Sequence, residues 1–209
     1  MKARQVRKLF VALLFVAFAS ARADAASVIF ELNNEFSGAQ TPTGTPPFLR
    51  ATFSDVMGGV ELKLESLLNG ATEFVNVWNF NLDPNLNPNL LSFAFQSGSP
   101  NSATINTGVN AFMADGDGQF DIQFDWPNGG AGRFNGSDMV TYLITSSEAI
   151  SAASFDFLSS PAGGHGPFPT AAHVQGIGDG GSGWITIPEP TSGLLMLGAL
   201  AGIVAIRRR

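Results

Sequence analysis

Apolar and polar residues alternate with a period of two along most of the middle of the chain. Val60, Leu62 and Leu64 are interleaved with charged residues, and the stretch from Phe120 to Trp126 follows the same spacing. Because successive side chains of a strand point to opposite faces, this alternation predicts half-buried β-strands. Further segments share the apolar spacing or composition of strands: residues 27–32, 48–53, 72–81, 93–95, 139–145, 155–157, 173–177 and 184–187.

Clusters rich in glycine, proline, serine and asparagine separate these predicted strands. They lie at residues 41–47, 83–88, 97–102, 127–132, 159–169 and 178–183. Many short strands between such turns are typical of an antiparallel sandwich, and no segment here sustains the helical period of 3.6. We therefore predict one all-β domain over residues 27–187, with the architecture of an antiparallel, jelly-roll-like β-sandwich.

The first 26 residues have the order of parts that is typical of a signal peptide. Basic residues within positions 2–8 precede an apolar run over residues 9–19, and Ala21, Ala23 and Ala25 offer small-residue cleavage sites. The apolar run is too short to cross about 30 Å of hydrocarbon comfortably. We predict that residues 1–26 form an N-terminal signal helix that is removed on export.

The last 22 residues combine a proline-rich triplet, an apolar stretch and a basic end. The apolar stretch, Ser192 to Ile206, carries no charge and as a helix would span about 22 Å at 1.5 Å per residue. This length predicts a short transmembrane helix that holds the chain transiently in the inner membrane, with the basic end in the cytoplasm. The flanking residues are Pro188, Glu189 and Pro190 before the helix, and Arg207, Arg208 and Arg209 after it.

This arrangement over residues 188–209 resembles the PEP-CTERM sorting signal. The resemblance implies processing near the triplet by an exosortase, a membrane transpeptidase-like enzyme, and delivery to the outer surface or extracellular matrix. Proteins of this class typically occur in Gram-negative-type bacteria that make exopolysaccharide, and biofilm matrix is their implied destination. Residues 80–84, 114–121, 163–168 and 181–185 resemble a group of PEP-CTERM proteins of unknown activity, so no chemistry is implied for the domain.

The charge and composition of the domain limit the classes of molecule that it can bind. Residues 27–187 hold three basic and 15 acidic residues, a net charge of −12. Such a surface repels nucleic acid and anionic lipid, so we expect no nucleic-acid partner, whereas divalent cations, basic partners or exopolysaccharide are compatible with it. The absence of cysteine from the sequence excludes disulfides, thiolate nucleophiles and cysteine metal sites.

The best candidate site in the sequence is a run of oxygen-bearing residues in a glycine-rich turn. Asp115, Asp117, Gln119 and Asp121 occupy alternate positions, an arrangement that calcium-binding loops use. Phe120 stands where an EF-hand needs glycine, so the run is no EF-hand. Asp115, Asp117 and Asp121 are therefore a candidate Ca²⁺ site, but ligand count alone is weak evidence, and the competing interpretation is a solvated acidic hairpin turn whose Asp and Gly residues serve turn geometry.

Other chemically capable residues form no recognisable catalytic pattern. The only histidines, His165 and His173, lie in or beside a Gly/Pro-rich segment without an HExxH motif. Asp121 and Asp125 would share a strand face at a Cα separation of about 13 Å, too far for a glycosidase pair. The three tryptophans are expected in the core: Trp78, Trp126 and Trp184.

These observations predict a non-enzymatic protein of the cell envelope or biofilm matrix. Two alternatives remain open. One is a secreted carbohydrate-binding module, Ca²⁺-dependent if the acidic turn binds metal, with an exposed tryptophan as its sugar platform. The other is a secreted hydrolase, which would need His165 paired with a carboxylate such as Asp179, or two carboxylates about 5–10 Å apart across strands.

Overall fold

The computed structural model of the chain describes residues 25–188. The predicted signal helix and the predicted transmembrane helix over Ser192 to Ile206 both lie outside the described residues. Within residues 25–188, no helix is long and apolar enough to cross a membrane.

The described residues form twelve strands and three short 3₁₀ turns. The strands are β1 (Ser27–Leu32), β2 (Asn34–Glu35), β3 (Leu49–Val56), β4 (Gly59–Ser66), β5 (Phe74–Phe80), β6 (Leu91–Ser99), β7 (Thr104–Ala114), β8 (Asp117–Asp125), β9 (Phe134–Asn135), β10 (Met139–Ser146), β11 (Thr170–Ile177) and β12 (Gly181–Thr186). The 3₁₀ turns are Pro88–Leu90, Gly130–Gly132 and Ala152–Phe155. Between residues 25 and 188 there is no α-helix.

The strands pair into two antiparallel sheets. Sheet A has the strand order β1-β3-β4-β10-β6, and sheet B has the order β2-β12-β11-β5-β8-β7, with β9 paired to β5. Both orders mix strands that are distant in sequence, so the sheets form by long-range pairing rather than by consecutive hairpins alone. The predicted all-β class with antiparallel pairing is confirmed.

Aromatic side chains from the two sheets meet in one hydrophobic core. Phe53 of β3 contacts Phe80 of β5 edge to face, with ring centroids 5.5 Å apart. Phe124 of β8 makes the same kind of contact with Phe93 of β6 at 5.6 Å, and it also meets Tyr142 of β10 at 5.4 Å. Each such pair contributes about 0.5–1.5 kcal/mol beyond the burial of its area.

The period of two in the sequence corresponds to the two faces of each sheet. In β4, Val60, Leu62 and Leu64 are buried, whereas the charged residues between them are not. In β8 the buried positions are Phe120, Ile122 and Phe124, again at alternate places. A slip of one residue would turn either apolar set to solvent, so the pattern fixes the register of pairing.

One predicted strand is wrong, and three observed strands were not predicted: the two-residue strands β2 and β9, and the long strand β7. Residues 155–157 do not form a strand: Phe155 ends the 3₁₀ turn Ala152–Phe155, which Ser151 caps, and its ring stacks on Phe53 at 4.5 Å. Strand β7 escaped prediction because bulges between Thr107 and Phe112 break its alternation. The two phenylalanines at residues 155 and 157 therefore have the spacing of a strand without forming one. In β7 the bulges interrupt the alternation of apolar and polar residues by which a strand is recognised in sequence.

Two of the three tryptophans lie in the core as predicted. Trp78 and Trp126 are buried, whereas Trp184 is only partly buried. The indole N–H of Trp78 donates to the hydroxyl of Thr170 at 2.9 Å, and that hydroxyl donates to the carbonyl of Asn79 at 2.7 Å. Thr170 thus satisfies a buried donor that would otherwise have lost its bond to water.

Replacing Thr170 by valine should destabilise the domain through this indole. The substitution keeps the shape of the side chain but leaves the buried Trp78 N–H without an acceptor, at a cost of about 1–3 kcal/mol. Urea denaturation with an unchanged m-value measures the loss. Thr104→Val, at an exposed position of β7, is the matched control and should change stability by less than about 0.5 kcal/mol. Equal losses in the two variants would contradict the assigned hydrogen bond.

Candidate functional site

A loop that follows the last 3₁₀ turn is bound to the hairpin of β7 and β8. We call residues 156–169 the anchor loop. Its backbone continues the hairpin through three hydrogen bonds: the N–H of Gly118 donates to Ala162, and Gln119 and Ser160 exchange a pair, all at 2.9–3.0 Å. A small hydrophobic cluster beneath it is separate from the main core and comprises Ala114, Phe120, Phe168 and Ala171.

Asp117 is the centre of this attachment. Its Oδ1 accepts from the backbone N–H groups of Gly164 and His165, and its Oδ2 lies 2.8 Å from Nδ1 of the His165 ring. The residue is only 5% exposed. Burial raises the pKa of Asp117, but hydrogen bonds from His165 and Gly164 outweigh it and hold the pKa below the ordinary value of 3.8. Asp117 is therefore a buried, ionised carboxylate that fastens the anchor loop.

A glycine at position 163 is required by this geometry. Gly163 has φ = +71°, a conformation that other residues rarely adopt. A Cβ atom at Gly163 would also collide with Oδ1 of Asp117. Only a residue without a side chain lets the loop approach the carboxylate closely enough for both backbone N–H groups to bind it.

His165 lines an open groove of about 520 Å³ together with Phe36, Phe168 and Pro188. The rings of Phe36 and Phe168 lie 4.3 Å apart. The His165 side chain is 60% exposed, and because Asp117 binds Nδ1, its Nε2 is the nitrogen that faces a ligand or solvent. The groove thus combines aromatic surface with one oriented imidazole, directly beside the last described residue, Pro188.

The second histidine, His173, belongs to a different environment. Its ring stacks on Trp184 of the neighbouring strand, with centroids 4.9 Å apart and planes 19° from parallel. Burial lowers the pKa of His173 below the ordinary value of 6.5, and the charge of Asp115 partly opposes this effect. The two histidines thus have separate partners: His165 binds Asp117, and His173 packs on Trp184.

The three carboxylates of the predicted calcium site have different surroundings. Asp115 is exposed in the turn between β7 and β8, at φ = 55°. Asp117 holds the anchor loop, and Asp121 accepts backbone N–H bonds from Leu82 at 3.0 Å and from Asn110 at 2.9 Å. Among residues 25–188, no group of three or more His, Cys, Asp or Glu is placed to hold a metal ion. Calcium binding stays a prediction without an assembled ligand set behind it.

The pairing considered for a hydrolase does not form. His165 pairs with Asp117, whereas Asp179 lies exposed in the turn between β11 and β12. Of the predicted processing residues, Pro188 is described and exposed. The others lie outside the described residues: Glu189, Pro190, Arg207, Arg208 and Arg209.

Sequence reasoning singled out Asp117 but missed its partner. The two residues are 48 positions apart, and both were considered for chemistry rather than for an attachment. The available signal was the run Gly163-Gly164-His165-Gly166, since consecutive backbone N–H groups in a glycine-rich segment can donate together to one carboxylate.

Comparison with known proteins identifies the end of the chain. Residues 186–209 match the PEP-CTERM protein-sorting motif, which confirms the resemblance drawn from the triplet, apolar stretch and arginines. The motif implies processing by exosortase and export to the cell envelope by way of the membrane. No curated protein and no solved structure matches the chain.

Replacing Asp117 by asparagine should loosen the anchor loop and change the response to acid. The variant keeps the shape but loses the charge, and we expect a loss of about 1–3 kcal/mol in unfolding free energy at neutral pH. Because the pKa of the folded state is depressed, the stabilisation by Asp117 is complete above 3.8 and disappears as the pH falls through the lower, folded-state pKa. The unfolding free energy of the variant should therefore fall less steeply than that of the wild type as the pH is lowered through the acid range.

Urea denaturation across the acid range measures both effects. Asp179→Asn, in the exposed turn after β11, is the matched control and should keep the wild-type profile. If the unfolding free energy of Asp117→Asn fell with decreasing pH as steeply as that of the wild type, the carboxylate would not be what fastens the loop.

Proposed function

We propose that residues 27–187 form a non-enzymatic structural domain of the outer surface or biofilm matrix, with a jelly-roll-like sandwich as its architecture. Its signal helix and its short transmembrane tail are temporary, since each is removed during export. The observation that carries this proposal is the sorting motif at residues 186–209, which implies export to the cell envelope.

The use of acidic side chains in the domain supports a structural role. Eight of them accept hydrogen bonds from backbone N–H groups of turns and loops, and so fix local chain geometry. They are Glu35, Asp55, Glu73, Asp83, Asp117, Asp121, Asp138 and Glu148. Glu73, for example, is 2% exposed and binds the N–H groups of Thr43 and Gly70 at 2.8 and 3.2 Å. Carboxylates whose oxygens accept these backbone hydrogen bonds stabilise the folded conformation of the turns and loops.

The tail supplies the physical basis for surface delivery. Its 15 uncharged residues are enough to hold the chain in the inner membrane, and the three arginines oppose translocation of the end. The triplet of Pro188, Glu189 and Pro190 would then lie just outside the membrane, within reach of an exosortase, and its two prolines disfavour the continuation of a helix through it.

A second candidate function is carbohydrate binding at the groove beside His165. The observation that favours it is the combination of stacked Phe36 and Phe168 with an imidazole whose Nε2 is free to bind a hydroxyl. Calorimetric titration with exopolysaccharide from the producing cells tests it. His165→Ala should weaken binding at least about tenfold, a loss of about 1.4 kcal/mol, whereas His173→Ala should not. Equal affinities of the two variants would exclude the groove.

Replacing Leu197 by aspartate should defeat sorting without touching the domain. A charge at the middle of the tail costs about 2–3 kcal/mol of insertion. The chain should then pass through the inner membrane unprocessed and collect as a soluble periplasmic protein. Cell fractionation with immunoblotting locates it, and Leu197→Ile is the matched control, which should reach the surface. Unchanged surface delivery of Leu197→Asp would contradict the membrane-held intermediate.

A further inference from the structure

Strand β6 is a free edge of sheet A. It pairs with β10 on one side, and within residues 25–188 no strand pairs with its other side. A free edge presents unpaired N–H and C=O groups to solvent. The carbonyl of Ala94 accepts a hydrogen bond from the side-chain amide of Gln96 of the same strand, at 3.1 Å, and so contacts no other element through this bond. The main-chain groups of β6 are therefore available to another strand.

The other edges of the two sheets are blunted. At the far edge of sheet A, β1 carries an ion pair between Glu31 and Arg50 at 2.7 Å and contacts the turn Ala152–Phe155. On sheet B, β2 is only two residues long, and β7 is interrupted by a bulge in which Asn110 has φ = 52°. Charge, covering, short length and bulging are the usual means by which sheets avoid edge pairing.

Strand β6 uses none of these means over Leu91–Phe95. Its pairing with β10 is regular there, and the bulge that β6 does contain lies beyond this segment, at Gln96, opposite the step from Thr141 to Tyr142. The strand also exposes apolar surface, since Phe95 is 37% exposed and Met139, paired with Ser99, is 42% exposed. The regular part of β6, residues 91–95, thus remains open to pairing.

The distribution of charge indicates what can approach this edge. The 31 residues from Pro84 to Ala114, which include all of β6, carry no charge, whereas the whole domain carries −12. Two copies of so acidic a domain repel each other over most of their surfaces. A neutral edge is the surface over which a second copy meets least repulsion.

We propose that β6 is a self-association edge, at which two copies pair their β6 strands antiparallel about a twofold axis. The two copies of sheet A would then form one continuous sheet of ten strands. A second copy is the occupant because only an extended backbone matches a row of N–H and C=O groups, and the same strand reversed by a twofold axis is self-complementary. The pairing depends on the folded domain alone and holds whatever route delivers the chain.

Sedimentation velocity of the mature protein over a wide concentration range tests the proposal. The wild type should show a monomer–dimer equilibrium. Ala94→Asp places a like charge on each copy near the centre of the shared edge and should raise the dimer Kd at least about tenfold. Ile29→Asp is the matched control, because Ile29 is 57% exposed on β1 at the opposite edge of sheet A. This control should dimerise like the wild type.

Hydrogen exchange supplies a second readout that a misfolded variant could not imitate. In the wild type, amides of residues 91–99 should exchange more slowly as the concentration rises, and those of β1 should not. A wild type that stays monomeric, or an equal effect of the two aspartates, would overturn the proposal. The proposal would also be overturned if the protein stayed monomeric and its β6 amides became protected only when exopolysaccharide is added. The edge would then bind polysaccharide rather than a second copy of the chain.

Discussion

The contact of aromatic rings between the two sheets is the interaction on which the rest of the domain depends. Phe124 alone meets Phe80 of its own sheet and both Phe93 and Tyr142 of the other. Phe124 and Tyr142 stand at alternate, buried positions of β8 and β10, so their burial helps to fix the register in which these strands pair. Once the registers are fixed, the loops at the ends of the strands have fixed starting points.

Carboxylates fix the conformations of the loops, which the hydrophobic core does not determine. A loop cannot be held by apolar burial alone, because its backbone N–H groups need acceptors. In this domain acidic side chains supply them: Asp117 for the anchor loop, Asp55 for the 3₁₀ turn at Ala152, and Asp121 for Leu82. The strong net negative charge is thus partly a consequence of how the turns are held, and the stretch from Pro84 to Ala114, which contains the edge strands β6 and β7, is the uncharged exception.

The sequence was informative wherever the determining interaction is local. Alternation identified β4 and β8, and a contiguous triplet, apolar stretch and arginine end identified the sorting motif. The sequence was uninformative where the local structure is determined by contacts between residues that are distant in the chain. The bulge in β7 depends on its pairing with β8, and the ion pair of Asp117 with His165 joins positions 48 apart. The same acidic turn that indicated calcium in the sequence is, in the fold, an attachment point for a loop.

The sorting motif is the premise on which the proposed destination of the domain depends, and exosortase action on the tail is its most direct test. The measurement is the intact mass of the chain in each cell fraction, from producing cells with and without their exosortase. With the enzyme, the surface-delivered chain should lack the signal peptide and the arginine end. Without it, the chain should retain Arg209 and stay in the inner membrane. A chain ending in Arg209 in the extracellular fraction of exosortase-containing cells would contradict the proposed processing.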